Sequence, residues 1–256
     1  MSTPTALPAL ADNYIWAVTS AGGNALIVDP GEARPVLEAM EQGLRPRAIL
    51  VTHHHHDHTG AVQMLAERCG ATVYAPADER IAVDCVRVGE GDTVDVDALD
   101  LTFRVIEVPG HTLSHVAFVG DGLAFTGDTL FSLGCGRVFE GSHAQMFESL
   151  ERLAALPTQT RICCGHEYTL ANAAFALAVE PANSALIERA AEARETRAAG
   201  APTLPVRLAS ELRTNPFLRC RVPELAHRVA EQTGCDPSDP AAVFAALRRW
   251  KDGFTA

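Results

Sequence analysis

The chain is predicted to be an α/β protein with a smaller helical region at its C-terminal end, and three observations carry that prediction. Short β-rich runs alternate with helical stretches through residues 1–166, and residues 167–256 hold only helical patterns interrupted by prolines. Charge changes at the same place: residues 1–166 carry 10 Lys+Arg against 21 Asp+Glu, whereas 167–256 carry 11 of each. The expected domains are therefore 1–166 and 167–256.

Taken in order, Tyr14–Thr19 and Ala25–Asp29 read as strands around a Gly22-Gly23 turn, followed by a helix near Ala33–Gln42. Ala48-Ile49-Leu50-Val51 is uninterrupted apolar sequence, as a buried strand requires. A helix is expected over Gly60–Cys69 and strands at Thr72–Tyr74, Leu101–Val108, Val116–Val119, Leu123–Phe125 and Thr160–Cys163, with a turn at Gly89-Glu90-Gly91 and a helix over His143–Ala155. Beyond these, Thr169–Glu180, Ser184–Ala199, Val222–Gly234 and Pro240–Asp252 have Ala-rich apolar faces, and Pro181, Pro202, Pro205 and Pro237 divide them.

Directly after the Ala48–Val51 strand comes Thr52-His53-His54-His55-His56-Asp57-His58-Thr59-Gly60. Alternate residues of an extended segment point the same way, so His53 and His55 can share one ion. Asp57 and His58 fall where the chain turns and can face a second ion. Imidazole mixed with carboxylate suits zinc, iron(II) or manganese, and a run without Cys ligands argues for catalysis over a structural zinc site.

Three later segments each bring one more such residue after a β-rich run: Pro109-Gly110-His111-Thr112, Phe125-Thr126-Gly127-Asp128-Thr129 and Cys164-Gly165-His166-Glu167-Tyr168-Thr169. T-H-x-H-x-D-H with this ordered set resembles the metallo-β-lactamase superfamily. Ala11-Asp12-Asn13-Tyr14, Gly134-Cys135-Gly136-Arg137-Val138-Phe139-Glu140-Gly141, Asn215-Pro216-Phe217 and Arg248-Arg249-Trp250-Lys251-Asp252 extend the likeness over nearly the whole chain, to the glyoxalase II (hydroxyacylglutathione hydrolase) family. That resemblance implies a four-layer αβ/βα sandwich with a C-terminal helical domain. It also implies two divalent ions, zinc above all with iron or manganese as alternatives: one held by His53, His55 and His111, the other by Asp57, His58 and His166, with Asp128 bridging. Glutathione contacts would fall to Arg137, Tyr168, Asn172, Arg248 and Lys251. Where the family often has Lys and Tyr, this chain has Arg137 and Phe139.

The activity implied is hydrolysis of the thioester of S-2-hydroxyacylglutathione, S-D-lactoylglutathione in the family, to a 2-hydroxy acid and glutathione, with Asp57 and Asp128 at the centre of the chemistry. A thiol has a reference pKa of about 8.5, so thiolate departs with little need of a general acid. Rivals are a persulfide dioxygenase or another thioester or lactone hydrolase of the superfamily, and a non-catalytic metal-binding module. RNA processing fits poorly with a formal net charge of −11 and no evident basic exosite. Without a run of about 20 apolar residues or a signal-like start, a cytoplasmic protein is expected, here as a monomer with no nucleic-acid or membrane partner. Seven scattered cysteines, an odd number with Cys163 and Cys164 adjacent, suit a reducing compartment.

Several residues admit two readings. Asp29, in Asp29-Pro30-Gly31, is either an acceptor orienting a ligand histidine or simply part of a turn. His115 either shapes the site or is a hydrogen-bonded structural imidazole. His54 and His56 are expected to face away from the ions, and His143 and His227 to be boundary or surface residues. Arg248 and Lys251, three apart on one helix, can hold an anion together, or merely complement the helix dipole. Lys251 is the only lysine in the chain.

Overall fold

A computed structural model describes residues 3–255. In chain order the strands are β1 (Pro4–Ala9), β2 (Asn13–Thr19), β3 (Asn24–Val28), β4 (Arg45–Leu50), β5 (Thr72–Pro76), β6 (Val86–Val88), β7 (Thr93–Val96), β8 (Leu101–Glu107), β9 (Val116–Gly120), β10 (Leu123–Gly127), β11 (Leu130–Phe131), β12 (Gly134–Cys135), β13 (Arg161–Cys164) and β14 (Val206–Arg207). The helices are α1 (Arg34–Glu41), α2 (His56–Thr59), α3 (Val62–Cys69), α4 (His143–Ala154), α5 (Thr169–Val179), α6 (Ser184–Ala198), α7 (Leu208–Thr214), α8 (Pro223–Thr233) and α9 (Pro240–Asp252). They form two compact units whose chain segments interleave. The first takes residues up to Glu107, Ser114–Gly127 and Cys163–His166; the second takes Val108–Leu113, Asp128–Ile162 and Glu167 onward.

In the first unit, one sheet runs β1-β2-β3-β4-β5-β6, antiparallel from β1 to β3 and parallel from β3 to β6. Ile15, Ala17, Ala25, Ile27, Ile49 and Val51 alternate along their strands and share a core with Val36 of α1 and Val62 and Leu65 of α3. The intervening residues Trp16, Leu26 and Leu50 are buried too, so this sheet is covered on both faces. On that second face the Trp16 indole donates to the Cys164 carbonyl of β13 at 2.9 Å. A second, antiparallel sheet follows in the order β10-β9-β8-β7, with Phe103 and Phe125 in contact.

Two departures from the expected elements have physical causes. β1, not among the expected strands, holds Pro4 and Pro8 and lies at a sheet edge, where a missing N–H is tolerated. The expected Gly60–Cys69 helix starts later, at Val62, and a separate turn, α2, precedes it. Gly60 sits at the break because a Cβ there would overlap the carbonyls of Gly31 and His56, while Ala61 N–H donates to the Pro30 carbonyl at 2.9 Å.

The second unit is mainly helical. Ala173 and Ala176 of α5 pack on Leu186 and Ala190 of α6 around Leu133. Ser142 and Gln145 form a capping box at the start of α4, and Asp239 caps α9 through the N–H groups of Ala241 and Ala242. The seven cysteines are all free. Among the described residues, no helix is long and apolar enough to cross a membrane.

Candidate metal centre

The parallel pair β3 and β4 ends in register at Val28 and Leu50, which places the segments that follow them side by side. Asp29 leaves β3 at φ 52°, buried, and its carboxylate accepts from Thr52 N–H at 2.7 Å and from Thr52 Oγ1 at 2.7 Å. The same carboxylate lies 3.0 Å from His58 Nδ1. Both readings of Asp29 therefore hold: Gly31 N–H closes a turn onto its carbonyl, and its side chain orients the histidine run. Because Thr52 Oγ1 donates to Asp29, it can only accept from His53 Nδ1, 3.0 Å away. His53 and His58 thus carry their protons on Nδ1 and keep an Nε2 lone pair for a ligand.

His166 follows β13, and its Nδ1 donates to Asp12 Oδ1 at 2.8 Å, which fixes the same tautomer. The Nε2 atoms of His58 and His166 each stand 3.4 Å from Asp57 Oδ2, and these three residues offer ligand atoms within 4.8 Å of one another. Burial would raise the Asp57 pKa, but when His166 and His58 also carry a proton on Nε2 their hydrogen bonds, with that from Asn13, outweigh it and hold the carboxyl well below the usual carboxylate range. A cation held at the two Nε2 atoms takes the place of those protons. His53 Nε2 is 3.1 Å from His55 Nδ1. Two buried imidazoles aimed at one ionised oxygen form a donor set that suits a divalent cation.

His54 turns toward Asp78, its Nδ1 3.5 Å from Oδ2, and His56 is exposed, as their alternate positions suggest. Hydrogen bonding from Arg80 holds Asp78 below the usual carboxylate range. His115 is fully buried and stacks on His53 with ring centroids 4.6 Å apart. His143 opens α4 behind its capping Ser142, and His227 Nδ1 donates to the Pro223 carbonyl at 2.7 Å.

In the second unit, His111 Nδ1 donates to the Arg137 carbonyl at 2.9 Å, and its Nε2 lies 3.5 Å from Asp128 Oδ2. Gly136 is required there, since a Cβ would overlap the Asp128 carbonyl. Phe139, 62% exposed, sets its ring 5.2 Å from that of His111. Arg137 is exposed, with its Nε 3.9 Å from Asp252. Tyr168 packs on Phe131, and buried Asn172 donates to the Ser132 carbonyl at 3.0 Å.

Arg248 is buried; its guanidinium donates to the Cys135 carbonyl at 2.8 Å and to Asp252 at 3.0 Å, over the Phe217 ring. Lys251 Nζ donates to the Ala171 carbonyl at 3.1 Å beside the rings of Phe175 and Phe254. Burial, helped by the charge of Arg248, lowers its pKa to about 8.

Asp12, Asn13 and Thr52 were given no role by the sequence, although Ala11-Asp12-Asn13-Tyr14 belongs to the family pattern. The contacts of Asp12 and Asn13 span too much chain for spacing to expose, since Asp12 meets His166 across 154 positions and Asn13 meets Asp57 across 44, whereas Thr52 touches the adjacent His53 and acts through its bond to Asp29.

The fold and donor set define a divalent-metal-binding α/β sandwich of the metallo-β-lactamase superfamily, whose family model matches residues 11–166. Similarity to solved structures agrees on the fold: ETHE1 from Myxococcus xanthus aligns with TM-score 0.65 at 23% identity, covering 99% of this chain and 90% of that one. TTHA1623 in a di-iron-bound form aligns with TM-score 0.58 at 28% identity, covering 84% and 100%.

A second model, the hydroxyacylglutathione hydrolase C-terminus, matches residues 167–254. The hydroxyacylglutathione hydrolase of Xanthomonas euvesicatoria pv. vesicatoria (strain 85-10) is 58% identical over 251 residues, 97% of this chain and 98% of that protein. The chain belongs to the hydroxyacylglutathione hydrolase family.

Proposed function

We infer that the chain hydrolyses the thioester of S-2-hydroxyacylglutathiones, S-D-lactoylglutathione above all, to a 2-hydroxy acid and glutathione, the second step of methylglyoxal detoxification. Family membership through both matched regions supports the substrate, and the Asp57–His58–His166 cluster supports the chemistry. The observation that carries the reading is the shared tautomer. His53, His58, His111 and His166 each have Nδ1 held by an acceptor, so each is ready to ligate through Nε2.

The proposed centre holds two divalent ions, zinc foremost. His53, His55 and His111 would hold one, Asp57, His58 and His166 the other, and Asp128 would bridge them. The di-iron form of the TTHA1623 protein favours the count of two. Ions there would supply the acidity that makes water nucleophilic at neutral pH and Lewis acidity for the thioester carbonyl.

Ionised Asp57 would orient the attacking water by accepting from it. The water oxygen joins the acyl carbon, the C–S bond breaks, and the sulfur leaves with the electron pair as thiolate, which takes up the remaining proton. Arg137, Tyr168, Asn172 and Lys251 would anchor glutathione. Arg248, with Nη1 and Nη2 engaged within the fold and Nε left without a hydrogen-bond partner among the described residues, would act beside Lys251 by adding positive potential one turn away. The protein is proposed to act as a cytoplasmic monomer without a nucleic-acid partner.

The test is a panel of glutathione thioesters with thiol release followed alongside metal content. Release that tracks bound metal is expected. Oxygen uptake with glutathione persulfide would favour the dioxygenase reading, and metal-loaded protein inert to every thioester would favour a non-catalytic module.

A further inference from the structure

The turn between β1 and β2 reaches two of the three residues in the Asp57–His58–His166 cluster. Asp12 Oδ1 accepts from His166 Nδ1 at 2.8 Å. Asn13 Nδ2 donates to Asp57 Oδ2 at 3.0 Å and also contacts the Asp57 carbonyl at 3.3 Å. The backbone fixes both contacts: Asn13 forms an isolated bridge with His166, and Tyr14 N–H donates to the Gly165 carbonyl at 2.8 Å. Leu10, at φ 49°, turns the chain into this position, and Asn13 is buried.

Asp57 needs such support. It lies in α2, a four-residue helix without a side-chain cap, where a short carboxylate has several accessible rotamers. A donor from outside the helix selects the one in which Oδ2 faces His58 and His166. Resting on the metal-centre reading above, we propose that Asp12 and Asn13 are positioning residues for this half of the centre: Asp12 sets the tautomer and plane of His166, and Asn13 sets the Asp57 rotamer. Neither is a ligand. The residue type matters at position 13, because only the amide brings an N–H to Asp57. An Asp there would suit a turn equally well but would set one carboxylate against another.

The test compares wild type with Asp12→Asn, Asn13→Ala and Asn13→Asp. Stepwise zinc affinities come from competition with a chromophoric chelator, ligand geometry from the visible absorption of the cobalt(II) form, and folding from apo-protein Tm. Each substitution is expected to weaken one stepwise constant by about ten- to a hundredfold, the usual effect of losing an outer-shell partner, and to alter the cobalt spectrum. The other constant should stay as in wild type, and Asn13→Asp should be worse than Asn13→Ala. If wild type binds its ions and all three variants bind them identically, or if both constants fall together with Tm, the turn is only structural and the positioning role is overturned. A wild type that takes up no ion would overturn the metal-centre reading itself.

Discussion

Replacing Lys251 with Ala tests the proposed anchoring of substrate apart from the chemistry. One of its three N–H donors is engaged by the Ala171 carbonyl at 3.1 Å, and the ammonium lies over the Phe175 ring at 5.2 Å, so it is held in place and its remaining donors can meet a carboxylate. Loss of one charge-assisted contact costs about 1.5–3 kcal/mol, which is roughly ten- to a hundredfold in affinity. Substrate and transition state should feel that loss equally, so KM should rise by that factor while kcat holds. The pH dependence adds a signature. With its pKa lowered to about 8, Lys251 is an ammonium below that pH and neutral above it, so its pull on an anion is present at pH 7 and lost as pH rises through 8. Initial rates measured from pH 6.5 to 9.5 should show wild-type kcat/KM falling above about pH 8, reporting the free enzyme, while Lys251→Ala loses that inflection and Lys251→Arg retains anchoring at high pH. A Lys251→Ala enzyme with reduced kcat at unchanged KM, or with reduced metal content, would refute the anchoring role.

Chelation should abolish thioester hydrolysis, and Asp128→Asn should lower metal content and turnover together, as elemental analysis beside the rate assay would show. Asp29→Asn tests the carboxylate that serves both Thr52 and His58: Asn accepts the φ of 52°, so the backbone survives while zinc affinity falls by about ten- to a hundredfold in chelator competition. Fully buried Glu211, which accepts from Leu133 N–H and Asn215, has its pKa raised to about 7 by burial. Folding therefore favours its protonated form, and the stability it lends is present at low pH and lost as pH rises from the unfolded value through about 7. Urea unfolding of Glu211→Gln should show a deficit against wild type that shrinks between pH 5 and 8; a deficit independent of pH would contradict this. Phe139→Tyr, which adds a hydroxyl at an exposed ring near His111, should lower KM by about two- to tenfold, the range of one hydrogen bond, in steady-state assays.

The parts legible in the sequence were those encoded locally. β4 was visible because four apolar residues in a row need burial on both sides, and His53 to His58 were visible because a strand period and a turn follow within six positions. Strands of two or three residues, such as β11, β12 and β14, show no period at all. β11 and β12 exist because neighbours hold them: Asn215 Nδ2 donates to the Phe131 and Gly134 carbonyls at 3.1 and 3.0 Å, and Asn172 and Glu211 secure Ser132 and Leu133 between them. The edge strand β1 was hidden by prolines that forbid a central strand but not an edge. Arg248 and Lys251 were legible as a cationic pair, yet spacing could not show that one is buried on a carbonyl and the other set among aromatic rings.

The same limit explains why a ligand motif alone does not make a metal centre. Unsupported, His58 and His166 would sample both tautomers and several ring orientations, and only one combination directs Nε2 at Asp57. Asp29 removes that freedom for His58 and Asp12 removes it for His166, one carboxylate from the end of β3 and the other from the turn before β2. Ordering these side chains costs conformational entropy, and folding supplies it in advance through the register of β3 on β4 and the bridge from Asn13 to His166. Metal affinity in this chain should therefore respond to strand register as well as to the ligands themselves. A substitution that slips β3 against β4 would carry Asp29 away from Thr52 and His58 together, releasing His53 and His58 in one step with every ligand still present.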